Sequence, residues 1–301
     1  MIELARSTAL LTGASRGIGP FLAEAMARRG TNLILAARNR AKLEQVRDNL
    51  AGHGVTVHVV PADISTLQGV EALAREALER ISSIDILINN AGMAAMLPFD
   101  RVRPDEIARE LFVNLGAPLA LSRLLLPGML KRRRGHIVNM SSIAGDVPLH
   151  YEAVYGASKA GLTIASKALR MECRGTGVSV SVILPGVVRG VGMAEDFGEL
   201  TGIRFPWFMG GCSPERVARG VIRAIEQDRA ETIVNRPPMR GTLALFRLWP
   251  GLWEYLAYHL LLETSTRAAK ANLAVGGDYT QVAVSPGLVH NGESRGPEMN
   301  V

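Results

Sequence analysis

Apolar residues in this chain fall into short runs separated by longer stretches with helical spacing. Thr8–Thr12, Asn32–Ala37, Val55–Val60, Ile84–Ile88, His136–Met140, Val178–Leu184 and Glu231–Val234 each have strand length. Runs that are almost wholly apolar suit strands covered on both faces, and the helical patterns between them supply the cover. This alternation predicts an α/β fold: a doubly wound parallel sheet, Rossmann-like, of about seven strands. Helix starts are marked too. Pro20 suits the first turn of a helix over Pro20–Arg29, having no N–H to leave unpaired, and Ser213 caps a helix that has Pro214 in its first turn.

Residues 1–235 read as one dinucleotide-binding and catalytic domain. Residues 236–275 add a Pro-Pro break and two short apolar helical patterns interrupted by Pro250-Gly251, a helical extension packed on the same domain. The stretch 276–301, rich in Gly, Pro and polar residues, reads as a mobile tail. There is no internal repeat and no interdomain linker.

Composition changes this picture little. Across 301 residues, 48% are hydrophobic and 21% charged, a globular balance that excludes a disordered chain. Cys173 and Cys212 lie too far apart for metal-ligand spacing, and the six histidines show none either, so no metal is expected. The amino terminus lacks a cleavage pattern, which makes the cytoplasm the default compartment. The net charge of +6 raises the question of nucleic acid. Arginines are scattered, however, and the run Lys131–Arg134 ends an apolar helical pattern where cations complement the helix dipole, so no nucleic-acid partner is expected.

The candidate chemistry begins where the first strand meets Gly13-Ala-Ser-Arg-Gly17-Ile-Gly19 and a helix follows. Glycines let backbone approach a phosphate closely, and a helix amino end offers free N–H groups and a positive dipole. About 20 residues past such a turn, a carboxylate would bind a ribose 2′-hydroxyl. Ala37 and Arg38 stand there instead, with Arg16 inside the turn, and guanidinium suits a 2′-phosphate. The expected cofactor is therefore NADP(H). Asp63, after the third strand, either accepts from an adenine amine or caps the helix starting near Ser65. Further on, Tyr155 and Lys159 lie four apart at the start of an Ala-rich helix, so they share one face, with Ser142 at the end of a strand before them. Pro118 lies four residues after Asn114 and cannot donate to its carbonyl, which leaves that carbonyl free to hold a water unless the proline only kinks the helix.

T-G-A-S-R-G-I-G, N-N-A-G, S-S-I-A-G, Y-G-A-S-K and Pro185-Gly186 together resemble the short-chain dehydrogenase/reductase family over about residues 6–235. The resemblance implies a catalytic Asn-Ser-Tyr-Lys tetrad at Asn114, Ser142, Tyr155 and Lys159, the serine lying thirteen residues before the tyrosine as in the family pattern. It places the cofactor against Gly13, Ser15, Arg16, Gly17, Ile18, Gly19, Arg38, Asp63, Asn90, Ala91, Gly92, Tyr155, Lys159, Pro185, Gly186 and Val188, and a relay water at the Asn114 carbonyl. Gly190 stands where the family often has threonine. The family also pairs through the helices carrying the asparagine and the Tyr–Lys pair, which implies a homodimer or homotetramer.

The expected reaction is interconversion of a carbonyl and a secondary alcohol on a lipophilic substrate (a ketone, a 3-oxoacyl or a steroid-like compound). An epimerase or dehydratase on the same scaffold, or a non-catalytic NADP(H) sensor, are the alternatives. In oxidation Tyr155 would act as tyrosinate. Moving its pKa from about 10 to about 7 takes roughly 4 kcal/mol, about what a cation 4 Å away supplies at an effective dielectric near 20, so Lys159 with an oxidised cofactor ring is the expected source. The stretch from Val187 to Cys212 reads as an irregular apolar substrate loop, with Phe205, Trp207 and Phe208 helping to enclose the pocket. The aromatic segment 239–262 either closes over that loop as a lid or lies at a membrane surface; Arg247, Glu254 and Pro250-Gly251 argue against its spanning a bilayer.

Overall fold

The computed structural model describes residues 2–202 and 210–274. Phe205, Trp207 and Phe208, and the stretch 276–301, lie outside the described residues. Seven parallel strands form a single sheet: β1 (Thr8–Thr12), β2 (Asn32–Ala37), β3 (Val57–Pro61), β4 (Ile86–Asn89), β5 (Gly135–Met140), β6 (Val178–Pro185) and β7 (Glu231–Val234). Their order is β3-β2-β1-β4-β5-β6-β7. The order reverses between β1 and β4, where an open sheet leaves a crevice at the strands' carboxyl ends.

The helices are α1 (Gly19–Ala27), α2 (Arg40–Asn49), α3 (Leu67–Arg80), α4 (Pro104–Leu111), α5 (Ala117–Arg132), α6 (Ala153–Glu172), α7 (Met193–Thr201), α8 (Pro214–Glu226), α9 (Arg240–Leu248) and α10 (Pro250–Ala274). They cover both faces. β1 sends Ala9 and Leu11 into a core with Leu22 and Met26 of α1 and Val217 and Val221 of α8. It sends Leu10 into a second core with Leu73 of α3 and Leu121 and Leu125 of α5. That alternation is the two-residue period of a strand, and burial on both sides explains its unbroken apolar run.

The structure corrects one reading and refines two. The segment after β6 is not wholly irregular, because α7 lies within it. The helical patterns of 236–275 do separate at Pro250, as α9 and α10, but the second is long rather than short. The chain bends at Trp249, and proline begins the 25-residue α10, where its missing N–H costs nothing. Finally, the helix around Pro118 changes register: Phe112–Gly116 forms a π-helical turn between α4 and α5, with the Ala117 N–H donating to the Phe112 carbonyl. A π turn takes up the register that proline breaks. Among the described residues, the continuous run Pro104–Arg132 is the one helix long and apolar enough to cross a membrane by length and composition. It also carries the fully buried Asn114.

α9 and α10 pack over the carboxyl end of the sheet. Leu243 and Phe246 of α9 join Ile143, Val147, Val182 and Leu184 in one cluster. Further along α10, Ala268 meets Met96 and Phe197 of α7, and the Asn272 amide donates to the Met96 carbonyl at 3.1 Å.

Candidate active site

Two clefts meet at the crevice. The longer, about 400 Å³, runs along the ends of β1, β2, β3 and β4. The glycine turn forms its floor. Gly13 has φ +65°, and a Cβ there would lie 2.8 Å from the Ala91 Cα, so only glycine lets the two loops approach. Asn90 ties them together: its amide donates to the carbonyls of Thr12 (3.0 Å) and Gly13 (3.2 Å). Thr12 Oγ1 in turn accepts from the backbone N–H groups of Asn90 and Ala91. Gly13, Ser15, Arg16, Gly17, Ile18, Arg38, Asp63, Asn90, Ala91 and Gly92 all line this cleft. Gly19 does not. It sits behind the turn, where a side chain would collide with the Gly13 carbonyl, so it holds α1 against β1.

The cleft suits a dinucleotide phosphate: glycine backbone faces it, α1 starts at it, and cations gather at the end of β2. Arg38 is joined there by Lys42, which the sequence reading missed. Asn39 caps α2 by accepting from the Lys42 N–H at 3.0 Å, which places Lys42 in the helix's first turn. That cap pattern was a usable signal. Arg16 also lines the cleft, but its guanidinium is ion-paired with Asp196 of α7. Asp63 accepts from the Ser65 N–H at 3.0 Å in a local turn, while Thr66 caps α3. It therefore both faces the cleft and serves the turn. Arg109 reaches the same cleft from α4 and was likewise missed.

The second cleft, about 170 Å³, holds Ser142, Tyr155, Lys159, Pro185, Gly186 and Val188 among its walls. Ser141 and Ser142 point to opposite sides. Ser141 Oγ is buried against α6, 2.8 Å from the Lys159 carbonyl and 2.7 Å from Thr163 Oγ1. Ser142 lines the cleft together with Tyr155 and accepts from the Ala144 N–H at 3.1 Å. Lys159 is 4% exposed, and its Nζ donates to the Met140 carbonyl at 3.0 Å, 5.6 Å from the centre of the Tyr155 ring. Asn114 does not reach the cleft with its side chain. It accepts from the Met93 N–H (2.9 Å) and donates to the Met93 carbonyl (2.8 Å) and Ser158 Oγ (3.1 Å), pinning the loop after β4 onto α6.

The protein's own groups keep the Tyr155 phenol protonated. Burial raises its pKa, the charge of Glu152 raises it further, and the nearby Ser142 hydroxyl only partly opposes them, with buried Glu110 adding to the rise. Desolvation works against the tyrosinate, and the expected lowering of the phenol needs the oxidised cofactor ring beside Lys159. Lys159 itself is lowered to about 8 by burial, and Glu110 opposes that fall. Burial raises the Glu152 carboxyl to about 7. Glu152 lines the cleft one helical turn before Tyr155, a spacing that was readable but went unread. His150 is not among the residues lining either cleft.

Opposite Ser142 and Tyr155, the cleft is apolar, with Met96, Ile143, Leu149, Val191, Met193 and Phe197. Gly190 has φ +82° and donates its N–H to Glu195 of α7 at 3.1 Å. A threonine in that left-handed conformation would be strained, which accounts for the glycine.

Comparison with known proteins agrees with this geometry. Residues 7–200 match the short chain dehydrogenase family. The chain is 37% identical over 251 residues to "Ketoacyl reductase HetN" of a Nostoc species, covering 83% of this chain and 86% of that protein. Among solved structures it is similar to a short-chain dehydrogenase from Sphingobium yanoikuyae in complex with NADPH: TM-score 0.71, 30% identity, 82% of this chain and 95% of that one. It is also similar to a short-chain dehydrogenase/reductase from Burkholderia phymatum in complex with NAD, with TM-score 0.74, 27% identity, 84% of this chain and 96% of that one. The chain belongs to the short-chain dehydrogenase/reductase family of oxidoreductases.

Proposed function

We propose that the chain interconverts a carbonyl and a secondary alcohol on a lipophilic substrate, with NADP(H) as its cofactor. The observation that carries this reading is the convergence of Ser142 and Tyr155 on the wall of a mostly apolar cleft, with the Lys159 Nζ 5.6 Å from the centre of the Tyr155 ring. One relative bears a ketoacyl reductase name and one similar structure holds NADPH. Another holds NAD, so the choice of cofactor rests on this chain's own residues. Arg38 and Lys42 face the cleft where β2 ends, and Ala37 stands in place of a carboxylate. Two cations there favour a 2′-phosphate.

When bound, the nicotinamide supplies the hydride in reduction and accepts it in oxidation. The glycine turn and Asn90-Ala91-Gly92 would hold the phosphates and sugar, and Pro185, Gly186 and Val188 would flank the ring. In reduction the Tyr155 O–H donates a proton to the substrate oxygen while Ser142 holds that oxygen by a hydrogen bond as it gains charge. Burial and the acids Glu152 and Glu110 hold the phenol protonated, which suits it to act as the acid. Lys159 places a cation beneath it to offset the tyrosinate left behind. Asn114 keeps the loop after β4 in place, and its carbonyl, which Pro118 cannot engage, would hold the water that restores the proton. The apolar wall and the overlying α10 exclude solvent from a substrate with hydrocarbon bulk. Incubation with NADPH and a graded panel of ketones tests this reading. Loss of reduced-nicotinamide absorbance with lipophilic ketones is the expected result, and loss with none of them would refute it.

A further inference from the structure

Away from both clefts, on the outer side of edge strand β7, a third hollow of about 440 Å³ lies between α8, β7 and the start of α9. Five arginines line it: Arg216, Arg219, Arg223, Arg229 and Arg240. The first three follow i, i+3, i+7 spacing and so share one face of α8. Arg229 sits in the turn before β7, and Arg240 opens α9. All five are exposed, and no acidic residue is among the described residues that line the hollow. Concentrating like charge this way is costly unless an anion occupies the space.

Two further features point to a ligand. Thr232, which lines the hollow, has a buried Oγ1 without a hydrogen-bond partner. Such a group is costly to bury unmatched. The nine-residue α9 also starts at this hollow, at Met239 and Arg240, with no side-chain cap on its free N–H groups. Guanidinium forks, an uncapped helix start and a spare hydroxyl together form a receptor for phosphate.

The surface leading away from the hollow decides which phosphate. Leu243 and Phe246 bury one side of α9. The other side carries Leu245 (40% exposed) and Leu248 (72%), followed at the bend by Trp249 (60%), Leu252 (40%) and Tyr255 (63%). α10 mixes apolar residues with Glu254, Glu263, Arg267 and Lys270 around its axis, and its apolar residues are not confined to the packed side. Its inner side, including Ala257 and Leu261, is packed and its outer side is bare. A soluble phosphorylated compound would use the arginine hollow and leave this apolar ridge unexplained. A bilayer with anionic headgroups satisfies both features, with tryptophan and tyrosine at headgroup depth.

We propose that the arginine hollow and the α9–α10 bend form one docking face for an anionic phospholipid membrane: a headgroup phosphate sits among the arginines while Leu248, Trp249 and Leu252 enter the interface. The assignment is independent of the redox reaction.

Sedimentation of the full chain with vesicles tests it, using phosphatidylcholine alone and phosphatidylcholine mixed with phosphatidylglycerol. The chain should sediment with the mixed vesicles and far less with the neutral ones. Each basic side chain near an anionic surface contributes about fivefold to partitioning. Arg219→Glu with Arg223→Glu should therefore lower partitioning more than tenfold, and Leu248→Ser with Trp249→Ser should also lower it, both with circular dichroism melting curves like the parent's. A parent chain that stays in the supernatant, or variants that sediment like the parent, would overturn the assignment. So would saturable pyrophosphate binding without vesicle binding, which would give the hollow to a soluble anion. A change in oligomeric mass from the Leu248/Trp249 substitutions, with vesicle binding unaltered, would give the ridge to a second copy of the chain.

Discussion

The Trp253 indole N–H donates to the Pro148 carbonyl at 2.8 Å, joining α10 to the loop that runs from Ser142 to Tyr155. Near it, the Trp253 ring packs on Phe246 with centroids 4.6 Å apart, and Tyr151 Oη lies 3.1 Å from Thr266 Oγ1. α10 therefore rests on the wall of the substrate cleft, consistent with a covering role. Trp253→Phe keeps an aromatic ring against Phe246 but loses the bond to the loop. One neutral hydrogen bond is worth about 1 kcal/mol, or roughly fivefold. KM for bulky ketones should rise by about that factor while small ketones and NADPH affinity change little. Equal losses for all substrates would assign α10 a purely structural role.

Cofactor choice is read at the end of β2. Ala37→Asp with Arg38→Ala removes one cation from the cleft and adds a repelling carboxylate, leaving Lys42. A hydrogen bond to a charged group contributes about 1.5–3 kcal/mol. The ratio of NADPH to NADH specificity constants should thus fall by at least tenfold. A ratio that stays put would mean that Arg38 does not meet the 2′-phosphate.

Glu152 ties the site to pH. Burial raises its carboxyl to about 7, and once ionised its charge raises the Tyr155 phenol. In Glu152→Gln that repulsion is gone, so the phenol ionises more readily. The rising limb of the pH profile for alcohol oxidation should move to lower pH. Stability supplies a second readout. A carboxyl raised in the folded state costs nothing below the unfolded value near 4.3, costs progressively more as pH climbs to 7, and stays costly above it. The variant should therefore match the parent in acid and exceed it above pH 7 in urea melts. An unmoved pH profile would separate Glu152 from the phenol.

Lys159 is a buried cation lowered to about 8. Its penalty on the folded state is complete below that pH and fades as pH rises toward the ordinary lysine value near 10.4. Lys159→Met removes the charge and leaves the Met140 carbonyl without its partner. At neutral pH the variant should gain about 1–2 kcal/mol in chemical denaturation. It should lose at least two decades of turnover, the usual weight of acid-base catalysis. Lost stability would show that the lysine is held there by packing rather than retained for chemistry.

Oligomer formation is expected through α5 and α6. α6 exposes Ile164 (66%) and Met171 (78%) seven residues apart on one side, and α5 exposes Leu124 and Leu130. A homodimer or homotetramer would cover them. Light scattering should give a multiple of 32.4 kDa for the parent and a smaller mass for Ile164→Glu. A parent that runs as a single chain at micromolar concentration would refute this.

Much of the fold is legible in the linear order of residues, because a strand buried on both faces must be locally apolar. β1, β2 and β7 start and end where the apolar runs do. The glycine turn is equally legible, since backbone that approaches this closely excludes every side chain, as at Gly13 against Ala91. The pairing of Tyr155 with Lys159 follows from helical periodicity alone. Other features have no local signature. That Ser142 faces the cleft while Ser141 faces α6 depends on what packs against each side of an extended stretch. Whether Pro250 breaks a helix or begins one depends on where Leu243 and Phe246 anchor α9. The loops tied by Trp253 and Asn272 lie 105 and 176 residues away in sequence. The same holds for the Tyr155 phenol, whose protonation reflects Glu152 on its own helix but also burial and Glu110 from α4. Periodicity records which face of an element is buried, whereas the neighbour that buries it, and the charge that neighbour brings, are set only when distant segments meet.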